Sequence, residues 1–343
     1  MSDEEATTTP AASSTATNSP EKIQTAIDSL STIVPSLPLS APSLLHNPDV
    51  YPHISNLLRQ PNSGAGDNNL CRWLYDTFQS GVPDLQLLVL RFVPVIAGIY
   101  LSRVANRKPQ AGFEAVLLAL YAHETSSRAG QPVSVTIPDL SHPSVYHETK
   151  APVKNAATDL NMAVVSPTLE PHGTVRSTRR ARIVGVALEL FYSKIFHMPV
   201  SSKIDFCEFC KVWAGQDGDM YKQFEEEEEE EEEKEEKEEE VEEKKSEVEN
   251  RKVEGRVPLP WELLQPVMRI LGHCLLGPNN NKQVDLFGVA CEACRCLFAR
   301  AMHDVDPKAI LPMRSLLRLS KTLMPNNNQP DPTELPFTDV ISL

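Results

Sequence analysis

The sequence predicts an all-α protein, or nearly so. The expectation is a compact multi-helix domain with at most one small β-hairpin, disordered tails and an acidic insert. Three observations carry this. Apolar residues recur at helical spacing in segment after segment, as in Leu70, Trp73, Leu74, Thr77 and Phe78. Strict alternation appears where Val133, Val135 and Ile137 interleave with Ser134 and Thr136, with NMAVV as a second short strand. The third is a run of Glu. Of the 47 acidic residues, 18 lie between Glu225 and Asn250, together with 4 of the 33 basic ones. That run holds almost nothing apolar to bury, so it reads as a solvated linker.

The elements follow in order. Residues 1–20 are Ser/Thr-rich and read as a disordered tail. A first helix starts at Pro20-Glu21 and runs through IQTAIDSLSTI. A Pro-rich loop leads to a short helix, VYPHISNLLRQ, and then to NLCRWLYDTFQS. The most apolar segment is PDLQLLVLRFVPVIAGIYLSRVANR, residues 83–107. A bilayer span needs about 20 apolar residues, and this run is interrupted by Gln86, Arg91 and Pro94. It reads as a buried core helix with Pro83 in its first turn and a kink near Pro94.

AGFEAVLLALYAHE gives the next helix, with Phe113, Val116, Leu117, Leu120 and Tyr121 on one face. Beyond the alternating stretch, Ser177 caps TRRARIVGVALELFYSKIFHM, and Ser201 or Ser202 caps SKIDFCEFCKVWA. After the acidic run come WELLQPVMRILGHCLLG, KQVDLFGVACEACRCLFARAMHD and DPKAILPMRSLLRLSKTLM. The count is nine or ten helices. The domain therefore divides into residues 21–218 and 257–324, around an insert at 219–256. A C-terminal tail at 325–343 is also read as disordered.

Charge and targeting signals narrow the function classes. The formal net charge is −14, but outside the acidic run the chain carries 29 basic and 29 acidic residues. A neutral folded part makes no case for nucleic acid. The N-terminal stretch lacks a basic region followed by an apolar core, so no secretory signal is expected. With Ser at position 2 no myristoylation is expected, and with the ending ISL no prenylation is expected. Seven unevenly spaced cysteines suit reduced thiols in the cytosol.

CEACRCLFARAMH, residues 291–303, and Cys207-Glu-Phe-Cys210 raise the possibility of a zinc site. Both pairs fall mid-helix rather than on tight turns. At about 100° per residue Cys291 and Cys294 share a face from which Cys296 diverges. Core packing is the favoured reading, with no metal ligand and no redox centre among them. His142, His147 and Glu148 cluster in SHPSVYHE without a nucleophile at a telling spacing. No phosphate-binding loop, dinucleotide fingerprint, HExxH or GxSxG occurs, so no catalytic residue and no cofactor is assigned.

Two surface candidates remain. Arg176, Arg179, Arg180 and Arg182 form a basic turn suited to an anionic partner, or to a solvated first helical turn. Trp261, Leu264, Met268 and Leu271 form an apolar stripe that reads equally as partner interface or as core. The residues alone leave open a general helical adaptor protein, or a zinc-binding helical protein.

Three stretches in close order are more specific: LQLLVLRFVPVIAGIYL, GFEAVLLALYAHE and VSVTIPDLSHPSVYHE. Together they resemble the hyccin family, over residues 70–215 and more loosely over 257–323. TIPDLSHPSVYHE is the most specific part, and RRARIVGVALELFYSKIFHMP fits the family's next segment. The resemblance implies a non-catalytic subunit of the type III alpha phosphatidylinositol 4-kinase complex. Such subunits pack on a tetratricopeptide-repeat scaffold subunit. A separate lipid-anchored subunit recruits the assembly from the cytosol to the plasma membrane. The Glu-rich insert and the short C-terminal tail depart from the family pattern of a helical domain followed by a disordered tail.

Overall fold

The computed structural model describes residues 19–35, 50–138, 160–171, 175, 179–221, 256–278 and 284–322. The first three helices form on the predicted stripes: α1 (Ser19–Ile33), α2 (Val50–Arg59) and α3 (Asn69–Gln79). Asn68 caps α3, its side-chain oxygen accepting from the Cys71 N–H at 3.1 Å. The Arg103 guanidinium donates to the Gln60 and Ser63 carbonyls, each at 2.6 Å, and so closes the chain after α2.

The apolar run at 83–107 is two helices rather than one kinked helix. These are α4 (Pro83–Leu90) and α5 (Val93–Ala105), bent by 43° at Arg91 and Phe92. Proline is tolerated in a first turn, where its missing N–H has no intrahelical partner to lose. The chain therefore ends α4 and starts a new helix one residue ahead of Pro94. Every residue from Val93 to Leu101 is buried, and α5 packs on α2, α6 and two later helices. Among the described residues no single helix is long and apolar enough to cross a membrane. The α4–α5 pair is apolar enough together, but it lies in the core.

After α6 (Ala111–Ser127), strands β1 (Val133–Pro138) and β2 (Leu160–Ser166) pair antiparallel. Helix α7 (Arg180–Ser193) runs into a 3-10 turn at Ile195–His197, and α8 (Val200–Ala214) follows Pro199. The α8 start has no side-chain cap, contrary to the expectation for Ser201 or Ser202. The Ser202 hydroxyl instead donates at 2.6 Å to the Arg91 carbonyl, freed where α4 breaks from α5. The predicted cap Ser177 lies outside the described residues.

A 3-10 turn at Gly218–Tyr221 packs on α10, and the described residues continue at Arg256. The Arg300 guanidinium donates to the Trp213 and Val257 carbonyls, both at 2.6 Å. The described segments on either side of residues 222–255 are thus held together at nearly one point. The last helices are α9 (Trp261–Leu276), α10 (Val284–Asp304) and α11 (Pro307–Thr322). That makes eleven α-helices among the described residues, one more than the upper sequence count, because the 83–107 run is split. The architecture is all-α with one small hairpin, as predicted.

Candidate partner surface

Helix α9 is wrapped by α7, α10 and α11. Leu264, Met268 and Leu271 are buried between them, so these members of the predicted interface stripe are core. The apolar arc of α9 also takes in Leu263, Val267, Ile270, Cys274 and Leu275, too wide for one solvent-facing seam. Trp261, at the first residue of α9, differs: it is 45% exposed, and the Lys308 ammonium sits 5.7 Å above its ring.

The basic turn is engaged inside the chain. Arg179 forms an ion pair with Glu170, and Arg180 lies 4.0 Å from Glu114. The Arg182 guanidinium donates to the Thr168 carbonyl at 2.6 Å and lies 3.8 Å from Glu262. These contacts fasten the segment after β2 and the start of α9 onto α7. Arg176 lies outside the described residues, as do Tyr146, His142, His147 and Glu148.

Two polar clusters were not visible in the sequence, because their members are far apart along the chain. Asp205 on α8 accepts from the Tyr51 hydroxyl at 2.7 Å, the Ser55 hydroxyl at 3.2 Å and Arg59 at 2.7 Å, tying α2 to α8. Glu189 on α7 lies 3.9 Å from Arg128 and 3.8 Å from Arg269, and Arg128 also donates to the Ser166 hydroxyl at 2.9 Å. Burial raises the Glu189 carboxyl above its usual range, opposed by a Ser166 hydrogen bond and by Arg269, Arg128 and Arg182. This cluster anchors the base of the hairpin.

The cysteines are packed as small apolar residues. Cys207, Cys210, Cys274, Cys291 and Cys294 are buried where α8, α9 and α10 meet, while Cys296 is half-buried. A hydrogen bond with Cys274, and then burial, push the Cys207 thiol well above its ordinary value. Burial does the same to Cys210 and Cys294. A metal ligand or nucleophile must be thiolate, and this setting opposes that form. Among the described residues no group of three or more His, Cys, Asp or Glu is placed to hold a metal ion.

Among the described residues the two-stranded hairpin presents apolar side chains outward. In the hairpin Val135 pairs with Ala163, and Thr136 with Met162. Val135 and Ile137 therefore occupy one face, and Met162 and Val164 the other. All four are exposed, Met162 to 75%. A lone two-stranded ribbon is marginal in water. Neither VSVTIP nor LNMAVVS contains a charged residue to guard its edge. Such a ribbon has the chemistry of a protein contact.

Fold and surface together define an all-α domain whose two described polar clusters are tied up in internal ion pairs and whose hairpin exposes apolar side chains on both faces. Within that class the assignment is specific. The hyccin family model matches residues 36–340, and the chain belongs to the hyccin family.

Proposed function

We propose that the protein is a non-catalytic accessory subunit of the type III alpha phosphatidylinositol 4-kinase complex, supporting phosphatidylinositol 4-phosphate synthesis. In this reading it packs on a tetratricopeptide-repeat scaffold subunit. It reaches the plasma membrane from the cytosol, recruited through a separate lipid-anchored subunit. The observation that carries the reading is the family match across nearly the whole chain. The uncharged hairpin supports it, because an apolar ribbon on both faces needs a protein to cover it. We assign the scaffold contact to this ribbon, around Val135, Ile137, Met162 and Val164, in place of the buried stripe on α9.

Co-expression tests this. The isolated chain should be poorly soluble or self-associate, and the repeat scaffold should bring it into a soluble, co-eluting assembly. The double variant Val135→Asp/Met162→Asp should keep its helical circular dichroism and lose co-elution. A well-behaved monomer that ignores the scaffold would overturn the reading.

A further inference from the structure

The described hydrogen bonds that tie the hairpin to the helices lie at its root. There Val133 on β1 pairs with Ser166 on β2, beside a register shift in the ribbon. Ser166 is buried, while Val135, Ile137, Met162 and Val164 farther out are exposed. The Arg128 guanidinium, at the end of α6, donates to the Ser166 hydroxyl at 2.9 Å, and a hydrogen bond from Ser166 also reaches Glu189. The chain after β2 is then held at three successive residues. Arg182 donates to the Thr168 carbonyl at 2.6 Å, the Leu169 N–H donates to the Gly130 carbonyl at 2.9 Å, and the Glu170 N–H donates to the Tyr121 hydroxyl at 3.0 Å.

Behind the root, the Arg128 and Glu189 side chains are only 11% and 12% exposed, so their 3.9 Å contact is little screened by salt. Arg269 closes the other side of Glu189 at 3.8 Å, its guanidinium lying over the Tyr192 ring. The root is thus tied through Glu189 to α6, α7 and α9 at once. The six residues of β1, at about 3.3 Å each, carry its far end about 17 Å away from that point. A swing of about 10° at the root would move the far end by about 3 Å, comparable to an apolar contact distance.

We infer that Arg128, Glu189 and Ser166 are positioning residues for the partner contact: they fix the direction of the ribbon, so that its apolar side chains meet the scaffold already oriented. The inference rests on the assignment of the scaffold contact to this ribbon. A two-stranded ribbon is marginal by itself. With a free root it would have to be ordered on binding, and that ordering subtracts from affinity. The buried cluster removes the cost in advance without itself touching the partner.

The test uses the full chain carrying a solubilising fusion partner, its affinity for the repeat scaffold, and its amide hydrogen exchange. Ser166→Ala and Arg128→Met cut the link and leave the exposed faces as they are. Each should weaken scaffold binding about tenfold, the scale of one to three side chains ordered anew on binding. Exchange should quicken across residues 133–137 and 161–166, while α5 and α8 keep the protection of the parent. Arg128→Lys, which keeps a cationic donor beside Ser166 and Glu189, should recover most of the affinity. If Ser166→Ala and Arg128→Met bind like the parent while Val135→Asp/Met162→Asp loses the scaffold, the inference is overturned and the ribbon remains the contact. Weakened binding with unchanged exchange in the hairpin overturns it too, because the cluster then acts on the partner directly. Lost protection in α5 and α8 makes the cluster a general stabiliser and also overturns it. If Val135→Asp/Met162→Asp itself binds like the parent, the ribbon is not the contact, and the assignment and the inference fall together.

Discussion

Gly185 on α7 lies directly against the backbone of Glu262 on α9: a Cβ added there would be 2.4 Å from the Glu262 carbonyl oxygen. Four residues on, Pro266 has no N–H to return to that carbonyl, so α7 approaches α9 where the helix ladder is interrupted. Glu189 and Arg269, one turn or more along each helix, continue the same contact.

Gly185→Ala should therefore destabilise the protein, although alanine is the better helix former. Forcing a methyl into backbone contact costs about 1–3 kcal/mol. Denaturant unfolding should show a lower midpoint with an unchanged slope. An unchanged or raised midpoint would mean that α7 and α9 are not in backbone contact.

Met268 separates core from surface on α9. Met268→Ala should cost about 2–4 kcal/mol through the cavity it leaves. Met268→Asp buries an unpaired charge among α7, α10 and α11 and should unfold the chain, as judged by circular dichroism. A folded Met268→Asp variant would return this stripe to the surface.

His273 supplies a pH dependence. Burial, with the Lys203 ammonium 3.4 Å away, lowers its pKa to about 4, and the Phe196 ring packs edge-on at 5.0 Å. The unfolded chain takes up the proton near its ordinary value of about 6.5, while the folded state stays neutral until about pH 4. Between these values the unfolded state binds more protons, so stability falls as pH falls and levels off below. His273→Gln should flatten that part of the stability profile. A parent profile already flat from pH 6.5 to 4 would contradict this.

The Trp213–Val257 junction makes a prediction about the acidic run. Val257 N–H donates to the Trp213 carbonyl at 3.2 Å, and Arg300 clamps both residues. Residues 225–250, outside the described residues, are inserted between points that are already stitched together. Replacing them with a short Gly/Ser linker should leave Tm within a few degrees. A larger fall would show that the run packs on the domain.

Much of the fold was legible because helical period survives in a single sequence. The stripe Leu70, Trp73, Leu74, Phe78 is buried as its spacing implied, and Val133–Ile137 is a strand. The departures have local and long-range causes. Pro94 told of a disturbance, but its tolerance in a first turn moved the break ahead to Arg91 and Phe92. Ser202 carries cap chemistry, yet a carbonyl more than a hundred residues away claims it. The surface was harder to read. Periodicity shows that Leu264, Met268 and Leu271 share a face, but only the packing of three other helices shows that this face is filled. Conversely, alternation in the hairpin gave no sign that both of its faces are exposed.

Affinity capture of the full chain from cells, with identification of the co-purifying chains, tests the central claim most directly. The account predicts that the type III alpha phosphatidylinositol 4-kinase and its tetratricopeptide-repeat scaffold come down together with the parent chain, and that Val135→Asp/Met162→Asp loses both. Capture of the parent chain without kinase or scaffold, under conditions that preserve that complex, would contradict it.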